Sequence, residues 1–145
     1  MADHIDHLTS LHTALIDARN GYEEALKDAE GKGMTPLFRE MMNLHQQHAD
    51  ALSAPLNALG AQVDDKGSFP STVHRTVMSV RSLFGGLDES ILPGLIDGEE
   101  RIIKYYDEAL QDVTQNAAEA TLLSDQRQML RRKIDDMNAR KSMAA

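Results

Sequence analysis

Two octets in this chain carry one pattern. YEEALKDA begins at Tyr22 and YDEALQDV at Tyr106, and each reads Tyr, acid, Glu, Ala, Leu, polar, Asp, small apolar, at a separation of 84 residues. Helix-rich sequences reuse these residue types, so the octet alone is weak evidence for duplication. The same shift, however, carries Thr35, which reads as the start of a second helix, onto Glu119 in the first turn of a later one. A helical hairpin written twice accounts for both matches. A chain of 145 residues has room for two such hairpins and one core, so a single domain over residues 1–145 is expected.

Helical periodicity extends the pattern along the chain. From Asp3, apolar residues recur at Ile5, Leu8, Leu11, Leu15, Ala18, Tyr22, Ala25 or Leu26, and Ala29, the spacing of one buried helix face. Asp3 is suited to cap this helix, and Gly31-Lys32-Gly33 ends it. Thr35-Pro36 reads as a capping residue followed by proline at the first helical position, opening a helix through Phe38, Met41, His45, His48, Leu52, Leu56 and Leu59 to Gly60. The short loop makes these two helices antiparallel neighbours. After Gly60 a polar stretch leads to a short helix over 71–84, stopped by Gly85-Gly86. A long helix over 88–114 follows, with Pro93-Gly94 awkwardly near its start and Leu92, Leu95, Glu99, Ile102, Tyr106 and Ala109 on one face. Asn116 and Glu119 have capping-box spacing for a last helix over 117–140, through Leu122, Gln126, Met129, Lys133 and Met137, with fraying from Lys141 onward.

Composition agrees with an all-α chain and removes several functions. Aromatic residues make up 4%, Trp is absent and Met numbers 8, which suits helices packed with Leu, Ile, Ala and Met. Without cysteine there is no disulfide, thiolate metal site or Cys nucleophile. Net charge is −8, with the bases gathered late: from Glu119 on, six bases meet four acids. An acidic surface disfavours nucleic acid, and the basic last helix is expected to pair with acidic helices across the bundle. No apolar run is long enough for a membrane span and the N-terminus has no signal-peptide core, so a cytoplasmic protein is expected. Neither a Gly-x-Ser-x-Gly elbow nor a phosphate-cradling glycine loop is present.

Two antiparallel hairpins joined by one long crossover form the ferritin-like arrangement of the four-helix bundle. More narrowly, over residues 5–138 the chain resembles a bacterial family of ferritin-like domains of unknown function, the domain of unknown function 2383 family. The residues that carry the resemblance are Gly21-Tyr22 followed by Glu23-Glu24-Ala25, His74-Arg75 on the crossover, and Gly98-Glu99 ahead of Tyr106 and Ala109-Leu110. It implies a fold: an all-α four-helix bundle with a long crossover carrying a short extra helix. It implies no activity.

Iron chemistry in such a bundle needs Glu-x-x-His pairs, whose members point from one helix face into a shared cavity. No Glu here has His three positions later; Glu40 meets Asn43, and the last helix has no His but carries Arg131, Arg132 and Lys133. A full di-iron centre is therefore not expected. Polar residues still interrupt the apolar faces: Glu99 on the third long helix, and His45 and His48 on the second, with Arg19 nearby on the first. The preferred reading is a buried network that fixes helix register, Glu99 pairing with Arg19, Lys133 or a histidine. The alternative is a mononuclear iron or zinc site built from His45, His48 and Glu99. Tyr22 and Tyr106 are expected in the core, with hydroxyls reaching a partner. Asp3, His4, Asp6 and His7 suit the first turn of a helix better than a surface metal, and Glu23, Glu24, Asp28 and Glu30 read as a solvated face.

The expected role is a non-catalytic structural or interaction module that self-associates through an exposed helix face and carries no cofactor. An iron- or zinc-binding protein or oxidase with a degenerate site is the alternative, and a small-ligand cleft between the hairpins a third possibility.

Overall fold

The computed structural model describes residues 2–29, 34–61, 92–111 and 117–144. These form four helices and, among the described residues, no strand: α1 (Ala2–Ala29), α2 (Thr35–Ala58), α3 (Leu92–Gln111) and α4 (Ala117–Ala144). None of them is long and apolar enough to cross a membrane. The helix expected over 71–84 and the cap expected at Asn116 lie outside the described residues.

Cross-helix contacts give the directions. Arg131 on α4 meets Glu100 on α3 and Gln126 meets Tyr106, so these two helices run antiparallel. Lys133 meets Glu40 on α2 and Gln126 meets His48, so α4 is antiparallel to α2 as well. It follows that α2 and α3 are parallel, and that Ala61, past the end of α2, and Leu92, at the start of α3, stand at opposite ends of the bundle. α1 packs along both α2 and α3. The expected pairing of the basic last helix with acidic neighbours is present in three bridges: Arg127 to Asp107 at 2.6 Å, Arg131 to Glu100 at 2.7 Å, and Lys133 to Glu40.

The buried faces sharpen the duplication. On α3, Leu92, Ile96, Glu99, Tyr106 and Ala109 are buried, and a shift of 84 carries them onto Leu8, His12, Leu15, Tyr22 and Ala25, all buried on α1. On α4 the buried face is Leu123, Gln126, Leu130, Ile134 and Met137. These fall on Phe38, Met41, His45, Ala49 and Leu52 of α2 at a shift of 85, not 84. Of the stripe expected through Leu122, Gln126, Met129, Lys133 and Met137, Gln126 and Met137 are buried on this face, whereas Leu122, Met129 and Lys133 are not buried. Met129 is 40% exposed and Lys133 sits at the edge against Glu40. At about 100° per residue, one extra residue between α3 and α4 is enough to turn the whole stripe.

Helix ends differ from expectation in detail. Met34, not Thr35, is the N-cap of α2, and Thr35-Pro36 fill the first turn, where proline loses no helical bond because the first four N–H groups have no intrahelical acceptor. The helix also runs through Pro55. It then closes in a Schellman motif: Gly60 N–H donates to the Asn57 carbonyl at 3.0 Å and Ala61 N–H to that of Leu56 at 3.0 Å. Gly60 has φ +82°, which a side chain would strain. The tail expected to fray from Lys141 is helical to Ala144, although Met143 is 86% exposed. With no Gly or Pro to stop it, and Lys141 complementing the helix dipole, backbone propensity alone carries that last turn.

Candidate functional site

Apart from His12 on α1, the buried polar residues among those described form two adjoining groups. The first is centred on Glu99, which sits on the α3 stripe between Ile96 and Ile102 and is buried to 2% exposure. Its Oε1 accepts the Tyr22 hydroxyl at 2.6 Å and lies 2.9 Å from Nε2 of His45, itself wholly buried on α2. Only a protonated Nε2 makes that second contact a hydrogen bond, so the carboxylate selects the histidine's tautomer. Aromatic packing holds the donors in place: the Tyr22 ring lies 5.9 Å from His45, nearly parallel to it, and 6.0 Å from Phe38. One carboxylate thereby ties α1, α2 and α3 together. Burial first, then the charge of Glu99 and its hydrogen bond, keeps the Tyr22 hydroxyl protonated far above the ordinary phenol range. Two buried atoms of this group, Glu99 Oε2 and His45 Nδ1, have no hydrogen-bond partner among the described residues.

The second group joins α2, α3 and α4. The Tyr106 hydroxyl donates to Gln126 Oε1 at 2.8 Å and lies 3.3 Å from His48 Nδ1, while Gln126 Nε2 donates to the His48 carbonyl at 3.2 Å. A hydroxyl has a single proton. With that proton on Gln126, Tyr106 accepts from a protonated Nδ1 of His48. Burial and, secondarily, the neighbouring His45 lower the His48 pKa to about 4, against a smaller opposing pull from Glu99, so the ring is neutral at neutral pH. Burial and Glu99 likewise hold the Tyr106 phenol up.

Among the residues singled out in the sequence, His45 and Glu99 come together, whereas His48 turns to Tyr106. Arg19 does not reach Glu99: its guanidinium donates to Asn20 and to Gln46. Lys133 goes to Glu40. Among the described residues, no three His, Asp or Glu side chains are grouped as a shared metal ion requires. Two buried polar residues were missed as members of the polar interior, His12 on α1 and Gln126 on α4. Gln126 lies on the face expected for the last helix, but nothing in its spacing says that it pairs with Tyr106.

The duplication explains why the two tyrosines recur and the rest do not. Tyr22 and Tyr106 are equivalent, and both give a hydroxyl to a buried acceptor. Three of their polar partners have an apolar counterpart in the other copy, Glu99 corresponding to Leu15, His45 to Leu130 and Gln126 to Met41, while His48 corresponds to Lys133.

A family model described as a domain of unknown function (DUF2383) matches residues 3–112, and the chain belongs to that family. No curated protein and no solved structure matches the chain.

Proposed function

We propose that this DUF2383 chain is a single ferritin-like four-helix bundle that performs no catalysis and acts as a structural or interaction module. The parallel course of α2 and α3, with their joined ends at opposite poles, supports the ferritin-like arrangement, since it requires one long connection between two hairpins. The observation that carries the functional reading is where the reactive side-chain types lie. His45 and Tyr106 are fully buried, Glu99 and Tyr22 nearly so; Glu99 is bonded to Tyr22 and His45, and Tyr106 to Gln126. Acid–base or nucleophilic chemistry needs such groups within hydrogen-bond reach of a substrate. Here their effect is to bind four helices in one register. Among the described residues, Tyr105 on α3 and Met129 and Met143 on α4 are exposed and offer anchors for self-association.

A second reading has its own support in the two buried atoms without partners, Glu99 Oε2 and His45 Nδ1. In it, iron or zinc is held by His45, His48 and Glu99. The side chains as arranged do not fit that ion: His48 would have to leave Tyr106, and His45 to turn its bonded nitrogen away from Glu99. Elemental analysis of protein purified without added metal separates the two. The module predicts no stoichiometric transition metal. About one ion per chain, lost in Glu99→Ala while the circular-dichroism helix signal survives, would establish the second reading instead. Molar mass measured by light scattering over a concentration series tests self-association, which a strictly monomeric protein would exclude.

A further inference from the structure

Apart from the buried layer, an open groove of about 560 Å³ lies between α1 and α2. Among the described residues its wall carries three cationic side chains, Arg19, Lys27 and Arg39, against one carboxylate, that of Glu23, in a chain whose net charge is −8. Leu26 and Met42, both partly buried against the core, supply apolar surface within it. A cationic concavity on an acidic protein is a local reversal of sign, and such a concavity concentrates anions.

The guanidinium at one side of the groove is held in place. Arg19 donates to Oε1 of Gln46, and Gln46 in turn donates through Nε2 to Asp50 at 2.8 Å, which fixes the amide in the orientation that accepts from Arg19. Asn20 grips the same guanidinium from the other side. Arg39 is exposed and makes no ion pair among the described residues. Among the described residues, Lys27 is tethered by its exposed contact with Glu24 at 3.1 Å. One donor is thus preorganised and two can move onto a ligand, a combination that lowers the entropic cost of binding.

We propose that this groove binds a small amphipathic anion, its carboxylate or phosphate head between Arg19 and Arg39 and its apolar body against Leu26 and Met42. Arginine forks suit both head groups, because each presents paired oxygens to two N–H donors. The apolar residues discriminate against a bare inorganic ion, which gains nothing from them.

Isothermal titration and amide chemical-shift mapping with hexanoate, hexyl phosphate, hexanol and inorganic phosphate test the assignment on the full chain. Either hexyl anion should bind saturably, with shifts centred on Asn43 and Arg39, and the tighter of the two identifies the head group. Inorganic phosphate and hexanol should each bind at least about tenfold more weakly than that anion. Arg39→Gln, an exposed change that leaves the core untouched, should weaken binding about tenfold, and Glu23→Gln should tighten it. Higher salt should weaken the interaction. No saturable binding of either anion up to about 10 mM would overturn the proposal. So would hexanol binding as tightly as the anions, or an Arg39→Gln affinity equal to the parent's. The experiment is independent of the metal question, since none of the groove residues belongs to the buried layer.

Discussion

Removing the Tyr22 hydroxyl is the sharpest perturbation of the polar layer. Tyr22→Phe keeps the ring against Phe38 and His45 and deletes only the 2.6 Å bond to Glu99. A bond to a charged acceptor contributes about 1.5–3 kcal/mol, and its loss leaves a carboxylate at 2% exposure with His45 as the remaining donor to Oε1. Urea denaturation followed by circular dichroism should show that loss as a lower midpoint at unchanged slope, and the melting temperature should fall by roughly 5–9 °C. A double-mutant cycle isolates the contact. In a Glu99→Leu background, which copies the counterpart Leu15, the hydroxyl has already lost its acceptor, so deleting it should be neutral or stabilise by up to about 1 kcal/mol. The coupling should then be about 1.5–4 kcal/mol. A single-variant cost below about 0.5 kcal/mol, together with an additive cycle, would refute the claim that this carboxylate organises the bundle.

Two further outcomes follow from the same geometry. His48 has its pKa lowered from 6.5 to about 4, so between those values the unfolded chain takes up a proton that the folded one refuses. Stability should be undiminished by this group above pH 6.5, fall as pH drops toward 4, and level off below. The full depression corresponds to about 3 kcal/mol, and solvent screening of a half-buried ring cuts it to about 1–2 kcal/mol. His48→Gln should remove that part of the acid slope in denaturation curves taken across the range; an unchanged slope contradicts the assignment. On α4, Leu130→Ala should cost about 2–5 kcal/mol, and Met129→Ala less than about 1 kcal/mol, measured by the same denaturation. The reverse order would place the helix in its other phase.

How far the site is legible in advance differs residue by residue. Glu99, His45 and His48 stand out because each breaks an apolar stripe, and a buried polar group needs a partner whatever the fold. Which partner it finds depends on the rotation of facing helices. Arg19, within reach of Glu99 on a helical wheel, turns instead to Gln46, where its charge stays partly solvated. A carboxylate this deep takes its bonds from Tyr22 and His45, whose rings are themselves at home in an apolar interior. Gln126 already lies on the face drawn for the last helix, but its pairing with Tyr106 depends on how the facing helices are turned.

The helices, their order and the doubling of a paired unit are properties of local spacing. An i, i+3, i+4 recurrence of apolar residues is a one-dimensional signal that any chain carries openly. Phase and partnership are not one-dimensional. Between shifts of 84 and 85 the octets offer no choice, since their described residues lie on α1 and α3, while the faces of α2 and α4 are chosen by which residues pack without a void against helices distant in sequence. The same packing decides that one tyrosine meets a carboxylate and its twin an amide, because a buried donor must take the acceptor that the neighbouring helix presents.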